Sequence, residues 1–331
     1  MNRLSQQFVR SSSGNEPLRH VTSLDTHTTT RTIRPRLPEE RDAMTQPRPR
    51  RSVLYMPGSN ARALDKGRTL DTDGLILDLE DAVAPDAKEL ARQQVCAATK
   101  EGGYGHRELF VRVNALDTAW GHADLVAAAT SGAHAVLLPK VESADAVRKA
   151  DQILRASGAP EELALWCMME TPRGILRAEE IADSCPRLAG FVMGTSDLAK
   201  DLHAAHTAMR LPMLVGLGTC LLAARAAGLA ILDGVYLDLE DVEGFAASCR
   251  QGAELGFDGK TLIHPKQLEA ANAAFAPSDE LIAQSRTILA AWDEASKAGK
   301  GVVVVNGKLV ESLHVENAKR LVALADAIAS R

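Results

Sequence analysis

From Arg51 onward, short apolar runs alternate with longer Ala-rich stretches. The runs read SVLYMP, GLILDLE, ELFVRVN, AVLLPKV, LALWCMME, GFVMGTSDL, DGVYLDLE and KTLIHP. Each is brief and carries few interior polar residues, the pattern of parallel strands covered on both faces. The stretches between them are long enough for helices, expected from about Ala61 and about Asp86 and over DAVRKADQILRASG and EGFAASCRQGAELG. The last of these ends at Gly256, as a helix with a glycine C-cap does. Eight such βα units predict a TIM (β/α)8 barrel. A doubly wound open sheet is the alternative. Against it, the turn after the first run reads MPGSNAR, where a dinucleotide-binding sheet carries G-x-G-x-x-G. The pentapeptide LDLED occurs at 77–81 and again at 237–241, a weak trace of repetition.

The two ends differ from this body. Residues 1 to about 50 are rich in Ser, Thr, Arg and Pro and hold no helical or strand period. Such a segment buries too little apolar surface to offset its ordering entropy, so a disordered tail is expected. Glu39, Glu40 and Asp42 count against an organelle transit peptide, and Met44 is an alternative start. The barrel is assigned to 51–298. Residues 299–331 form an appendage: VVVVNGKLV reads as a hairpin turning at Asn306-Gly307, followed by a helix over about 315–330.

Composition narrows the function. The chain has 331 residues and a net charge of -5, so a basic face for nucleic acid is not expected. Aromatic residues make up only 4%, which also disfavours base-stacking platforms. The five cysteines, Cys96, Cys167, Cys185, Cys220 and Cys249, are scattered and odd in number. That argues for reduced thiols and a cytoplasmic protein rather than a disulfide framework or a zinc site. The most apolar stretch, 211–224, is interrupted by Pro212 and too short to span a membrane.

Chemistry in a TIM barrel collects at the C-terminal ends of the strands. There this sequence delivers Asp78, Glu80 and Asp81, then Arg112 and Asn114, Lys140 and Glu142, Glu170, Asp197 and His264. Several carboxylates without a Cys–His cluster suit a hard, oxygen-ligated cation, and Mg2+ fits. Glu170 stands at the junction before Thr171-Pro172-Arg173-Gly174, and Asp197 follows Gly194-Thr195-Ser196. Arg112 offers a guanidinium fork suited to a substrate carboxylate. The plainer readings stand beside these: Asp197 as a helix cap, Arg112 as a structural ion pair.

LYMPGSN, GLILDLEDAVAPDAK, LFVRVNAL, VLLPKVES, METPRGI, GTSDLAKDL and GFDGKTLIHPKQ occur in this order. Over residues 51 to about 320 the series resembles the citrate lyase β-subunit-like family of CoA-ester lyases. The resemblance implies a barrel with a C-terminal appendage on a neighbouring subunit of a trimer or hexamer. It also implies Mg2+ on Glu170 and Asp197, with Gly194 and Asp197 at the substrate and Arg112 on the carboxylate of the keto-acid half. Tyr55, Asn60, Lys66, Ile263 and His264 fall where relatives contact a CoA thioester. Glu80, Asp81 and Lys140 would stand behind the metal. Two positions depart from the family: Asn60 replaces a frequent arginine, and Glu311 stands where relatives carry a catalytic Asp followed by proline. Glu311 is therefore a candidate acid–base group or a solvated turn residue. The implied reaction is Mg2+-dependent retro-Claisen cleavage of a carboxylated 3-hydroxyacyl-CoA into a short acyl-CoA and a keto acid. Thioester hydrolysis, aldol chemistry on free keto acids, and a subunit role in a larger lyase complex are the alternatives.

Overall fold

The computed structural model describes residues 48–331; residues 1–47 of the expected tail, Met44 among them, lie outside the described residues. Eight parallel strands close into a barrel in sequence order, with the first strand pairing both the second and the eighth. They are β1 (Ser52–Pro57), β2 (Gly74–Asp78), β3 (Glu108–Arg112), β4 (Ala135–Leu138), β5 (Ala164–Met169), β6 (Leu188–Met193), β7 (Ala230–Asp233) and β8 (Gly259–Leu262). The helices around them are α1 (Ala61–Gly67), α2 (Lys88–Glu101), α3 (Gly121–Ala129), α4 (Ala144–Ala156), α5 (Pro172–Leu176), α6 (Ala178–Ala182), α7 (Thr195–Asp201), α8 (Leu214–Ala226), α9 (Val242–Leu255) and α10 (Leu268–Phe275).

Several helices begin where a side chain satisfies the free backbone N–H groups of the first turn. Ser143 accepts from Ala146 before α4, Thr171 from Gly174 before α5, and Asp241 from Gly244 before α9. Gly256 closes α9 at φ 102°, a left-handed conformation that glycine adopts without Cβ clash.

Strand alternation sends every second residue into the barrel. Val53, Ile76, Phe110, Leu137, Trp166, Met168, Val192 and Leu232 form that inner core. Trp166 is fully buried and meets Phe110 edge-on, with ring centroids 5.1 Å apart. Gly190 makes room for it, because a Cβ there would lie 2.5 Å from the indole. The other parity points outward into the larger core between strands and helices, with Leu75, Leu77, Val111, Val136 and Leu165 all buried.

The seventh strand differs from the sequence expectation. It is formed by Ala230–Asp233, and most of DGVYLDLE is loop. Gly234 packs against the Met193 carbonyl and Thr195, and Asp238 accepts the N–H groups of Glu240 and Asp241, which folds the segment into a turn. Its apolar–polar alternation reads as a strand but has no neighbour to pair with.

At the start of the described chain, Arg50 already belongs to the barrel, donating to Glu108 at 2.5 and 2.9 Å. At the other end come α11 (Asp279–Lys297), the hairpin β9 (Val303–Val305) and β10 (Lys308–Val310), and α12 (Ser312–Ala329). The hairpin turns at Asn306 and Gly307, both at positive φ. Val305, Val310 and Val315 pack with Ile288, Leu289 and Trp292 of α11 into a separate small core.

Candidate active site

The inward parity of the strands carries on into the rim. Tyr55, Asp78, Arg112 and Glu170 follow the inner core residues Val53, Ile76, Phe110 and Met168 by two positions each. Alternation therefore turns all four toward the barrel axis, with Tyr55 at the level of Ile76, one step below Asp78. Asp78 and Arg112 are neighbours in the parallel register. Asp78 accepts from Arg112 Nε and Nη2, each at 2.6 Å, in a buried side-on fork. Such bidentate charge-assisted pairs fix orientation as well as adding energy. The guanidinium also lies 4.9 Å from the centre of the Tyr55 ring. Arg112 Nη1 points to Glu80 Oε2 at 2.9 Å and Asp81 Oδ2 at 3.5 Å.

The segment after β2 is held from both sides. Asp78 accepts the N–H groups of Glu80 and Ala82. The buried Lys88 ammonium donates to the carbonyls of Leu79 and Glu80 at 2.8 and 2.7 Å, beneath the ring of Trp120. Asn114 adds a third bond to Leu79 and is itself held by Asp124. Glu80 is thereby presented to Lys140, whose Nζ lies 2.6 Å from Oε1. Glu80 Oε2 is buried and, despite its closeness to Arg112, has no hydrogen-bond partner of good geometry.

Glu170 is buried at the end of β5 and accepts the Lys140 N–H at 2.7 Å. Its carboxylate lies over Gly194, where a Cβ would sit 2.4 Å from Oε2. Burial pushes its pKa up to about 7, the nearby Glu80 and Asp197 carboxylates add to this, and the Lys140 N–H and Arg112 oppose it. Asp197 sits in the first turn of α7, 3.9 Å from Lys140 Nζ and 4.0 Å from Lys200 Nζ. Lys140 has φ 48°, left-handed for a non-glycine residue, a conformation that clusters at functional sites. Burial would lower its ammonium pKa, but the Glu80 hydrogen bond and the surrounding carboxylates outweigh it and hold the group above its ordinary value.

The remaining candidates fall into other sectors. Asn60 caps α1, accepting from Ala63, and Lys66 is exposed on the same helix. His264 Nδ1 accepts the Lys266 N–H, and Ile263 is half exposed beside it. These four follow β1 and β8, which are adjacent strands, so one side of the rim carries them. Tyr55 is not with them; it lies inside the barrel under Arg112. Glu311 is the N-cap residue of α12, its own N–H donated to His314 Nδ1.

The sequence reading assigned no partner to Arg112, and the structure pairs it with Asp78. The available signal was positional: each closes its strand, and adjacent parallel strands put them side by side. The Lys88 clamp was also missed, because a lysine opening a surface helix carries no sign of burial. So was the triad of Asp233, Lys260 and Arg210, in which Lys260 Nζ and Arg210 Nη1 both reach the fully buried Asp233.

Among the described residues, no three His, Cys, Asp or Glu side chains converge as a ready-made metal cage. The donor set instead suits a hard cation that takes one or two carboxylates and completes its shell with water or substrate oxygens. Glu80 Oε2, ion-paired to Arg112 but accepting no hydrogen bond, and the bare Gly194 floor beneath Glu170 fit such a group.

Fold and rim together define a (β/α)8 barrel enzyme with a carboxylate-rich mouth gripped by one arginine and one lysine. The chain belongs to the HpcH/HpaI aldolase/citrate lyase family, which it matches over residues 51–265. It is 53% identical to a (3S)-malyl-CoA thioesterase of Cereibacter sphaeroides strain KD131 over 285 residues, 86% of this chain and 98% of that one. It is 36% identical to the citrate lyase subunit beta of Escherichia coli K12, covering 84% of this chain and 94% of that protein. Among solved structures, CitE of Mycobacterium tuberculosis in complex with magnesium, acetoacetate and coenzyme A superposes with a TM-score of 0.66. That match has 33% identity and covers 83% of this chain and 97% of that one.

Proposed function

We propose that this protein is a Mg2+-dependent enzyme acting on the CoA thioester of a carboxylated 3-hydroxy acid of the malyl class, and that it hydrolyses the thioester. The observation that carries the reading is Glu170 over Gly194, with Asp197 in the first turn of the helix after the next strand and Lys140 bridging to Glu80. The near full-length likeness to a malyl-CoA thioesterase supports the substrate class and the hydrolytic outcome.

Glu170 and Asp197 would hold the cation, which supplies Lewis acidity at the substrate oxygens when bound. Arg112 is fixed by Asp78 with Nη1 turned toward Glu80 and Asp81, and this nitrogen orients a substrate carboxylate. Glu80 Oε2 accepts a hydrogen bond from the attacking water. Water adds to the thioester carbon, the C–S bond breaks, and CoA leaves as the thiol. Asn60, Lys66, Ile263 and His264 supply the CoA side of the rim. The exposed face of the hairpin, with Val304 65% and Leu309 54% accessible, supports packing of the C-terminal segment on a second copy in a homo-oligomer. That packing would carry Glu311 toward the neighbour's mouth.

A second reading, retro-Claisen cleavage to a short acyl-CoA and a keto acid, uses the same groups and is favoured by the citrate lyase β relatives. The test is product analysis by mass spectrometry on malyl-CoA, with Mg2+ and with excess chelator. Malate plus free CoA, lost with chelator and lost in Glu170→Gln, is expected. Acetyl-CoA plus a two-carbon keto acid would overturn hydrolysis in favour of cleavage. Chelator-insensitive turnover, or full activity in Glu170→Gln, would overturn the metal assignment.

A further inference from the structure

Lys140 does two jobs from one strained residue. Its backbone N–H is donated to Glu170 Oε1, while its ammonium lies 2.6 Å from Glu80 and 3.9 Å from both Asp81 and Asp197. The residue takes a left-handed φ of 48°, with its N–H and its side chain on different carboxylates. The mouth is otherwise crowded with like charge. Arg112 neutralises Asp78 and reaches Glu80 and Asp81 only through Nη1, and the Lys88 ammonium is bound to two carbonyl oxygens. Lys200 is largely exposed at the far side of Asp197. Lys140 thus shares Glu80 and Asp81 with Arg112 and alone reaches across to Asp197 from them, and its side chain is 40% exposed, with open solvent to move into.

We propose that the Lys140 ammonium is a resident counter-ion, holding the carboxylates of the mouth together in the metal-free protein and yielding that place when a divalent cation binds. The proposal rests on the Mg2+ reading above. An ammonium and a divalent ion a few ångströms apart repel strongly in a partly buried site. The protein must therefore move this side chain outward for metal to enter, and its charge opposes metal binding. Its backbone N–H stays on Glu170 throughout, because the backbone conformation does not depend on where the ammonium points.

The test compares Lys140→Asn and Lys140→Arg in the full chain, with Mg2+ alone as the probe. Asn tolerates the left-handed backbone and removes the charge; Arg keeps the charge. Titration calorimetry should show Lys140→Asn binding Mg2+ about tenfold or more tightly than the wild type. Its melting temperature in chelator should fall, and the rise on adding saturating Mg2+ should be larger than in the wild type. Lys140→Arg should keep both quantities near the wild-type values. An unchanged or weaker Mg2+ affinity in Lys140→Asn overturns the proposal alone. So does an equal loss of melting temperature with and without Mg2+, which is what a merely structural role produces. Absence of Mg2+ binding by the wild type overturns both this proposal and the metal assignment on which it rests.

Discussion

The pentapeptide LDLED occurs twice, and the two copies share their local chemistry but not their fate. In the first, Asp78 accepts the N–H of Glu80; in the second, Asp238 accepts the N–H of Glu240. The same side chain closes the same small turn, as Asp does wherever the backbone lets it. Everything else differs. Leu77 is fully buried in β2, whereas Leu237 is 54% exposed in a loop. Asp78 is buried and forked by Arg112. Glu80 meets Lys140 inside the mouth, whereas Glu240 reaches Lys266 at 3.7 Å with both side chains largely in solvent. Local sequence fixes the turn. The neighbouring strand decides whether its carboxylates become buried, paired groups or a solvated loop.

The comparison is broken most forcefully at its second position. Asp78→Asn takes the forked counter-charge from the buried Arg112 guanidinium, leaving it Glu80 and the more exposed Asp81 on Nη1 alone, and breaking a buried pair from one side costs about 3–5 kcal/mol. Urea unfolding of Asp78→Asn and Asp238→Asn should show that loss in the first and a change within about 0.5 kcal/mol in the second. Equal effects would mean that the strand context does not set the difference.

A second measurement concerns the end of β7, just before the later copy. Burial pushes the Asp233 carboxyl up, but Lys260 and Arg210 outweigh it and hold the group below the usual carboxylate range. The folded state therefore binds fewer protons there than the unfolded state near the ordinary Asp pKa. The stabilisation is complete above about pH 4 and is lost as the pH falls through the depressed folded value. Acid titration of stability should be steep in that window for the wild type and flatter for Asp233→Asn. A parallel pair of curves would refute the assignment.

The smallest effect belongs to Asp241, the last residue of the second copy, which caps α9 through Gly244 and accepts from Tyr236. Asp241→Ala should lower the melting temperature by a few degrees at most, with the barrel otherwise intact. A collapse of the fold would show that the cap contributes far more than an exposed N-terminus should.

Much of the fold was legible because parallel strands covered on both faces are continuous apolar runs. SVLYMP coincides with β1, where Arg51 and Gly58 bound the run on either side. AILD does not stand apart from the end of α8, since Ala and Leu serve helix and buried strand alike, and VYLDLE is the more regular run. The rim was legible as a set of residue types at strand ends. What escaped was pairing: which carboxylate takes Arg112, which carbonyls take Lys88, and that Tyr55 turns inward while Asn60 and Lys66 turn away. Those depend on register and parity across strands far apart in sequence. Only the parallel register of β2 on β3 brings Asp78 beside Arg112, 34 residues on.

The Trp166 ring, admitted by the missing side chain of Gly190, has a consequence for traffic. With Phe110 against its edge, Arg50 5.1 Å from its ring centre and Glu108 salt-bridged to Arg50, it stoppers the barrel from within. The barrel is a flask and not a pipe. Whatever enters at the carboxylate neck leaves by the same neck, because the packed ring closes the way through to the other end.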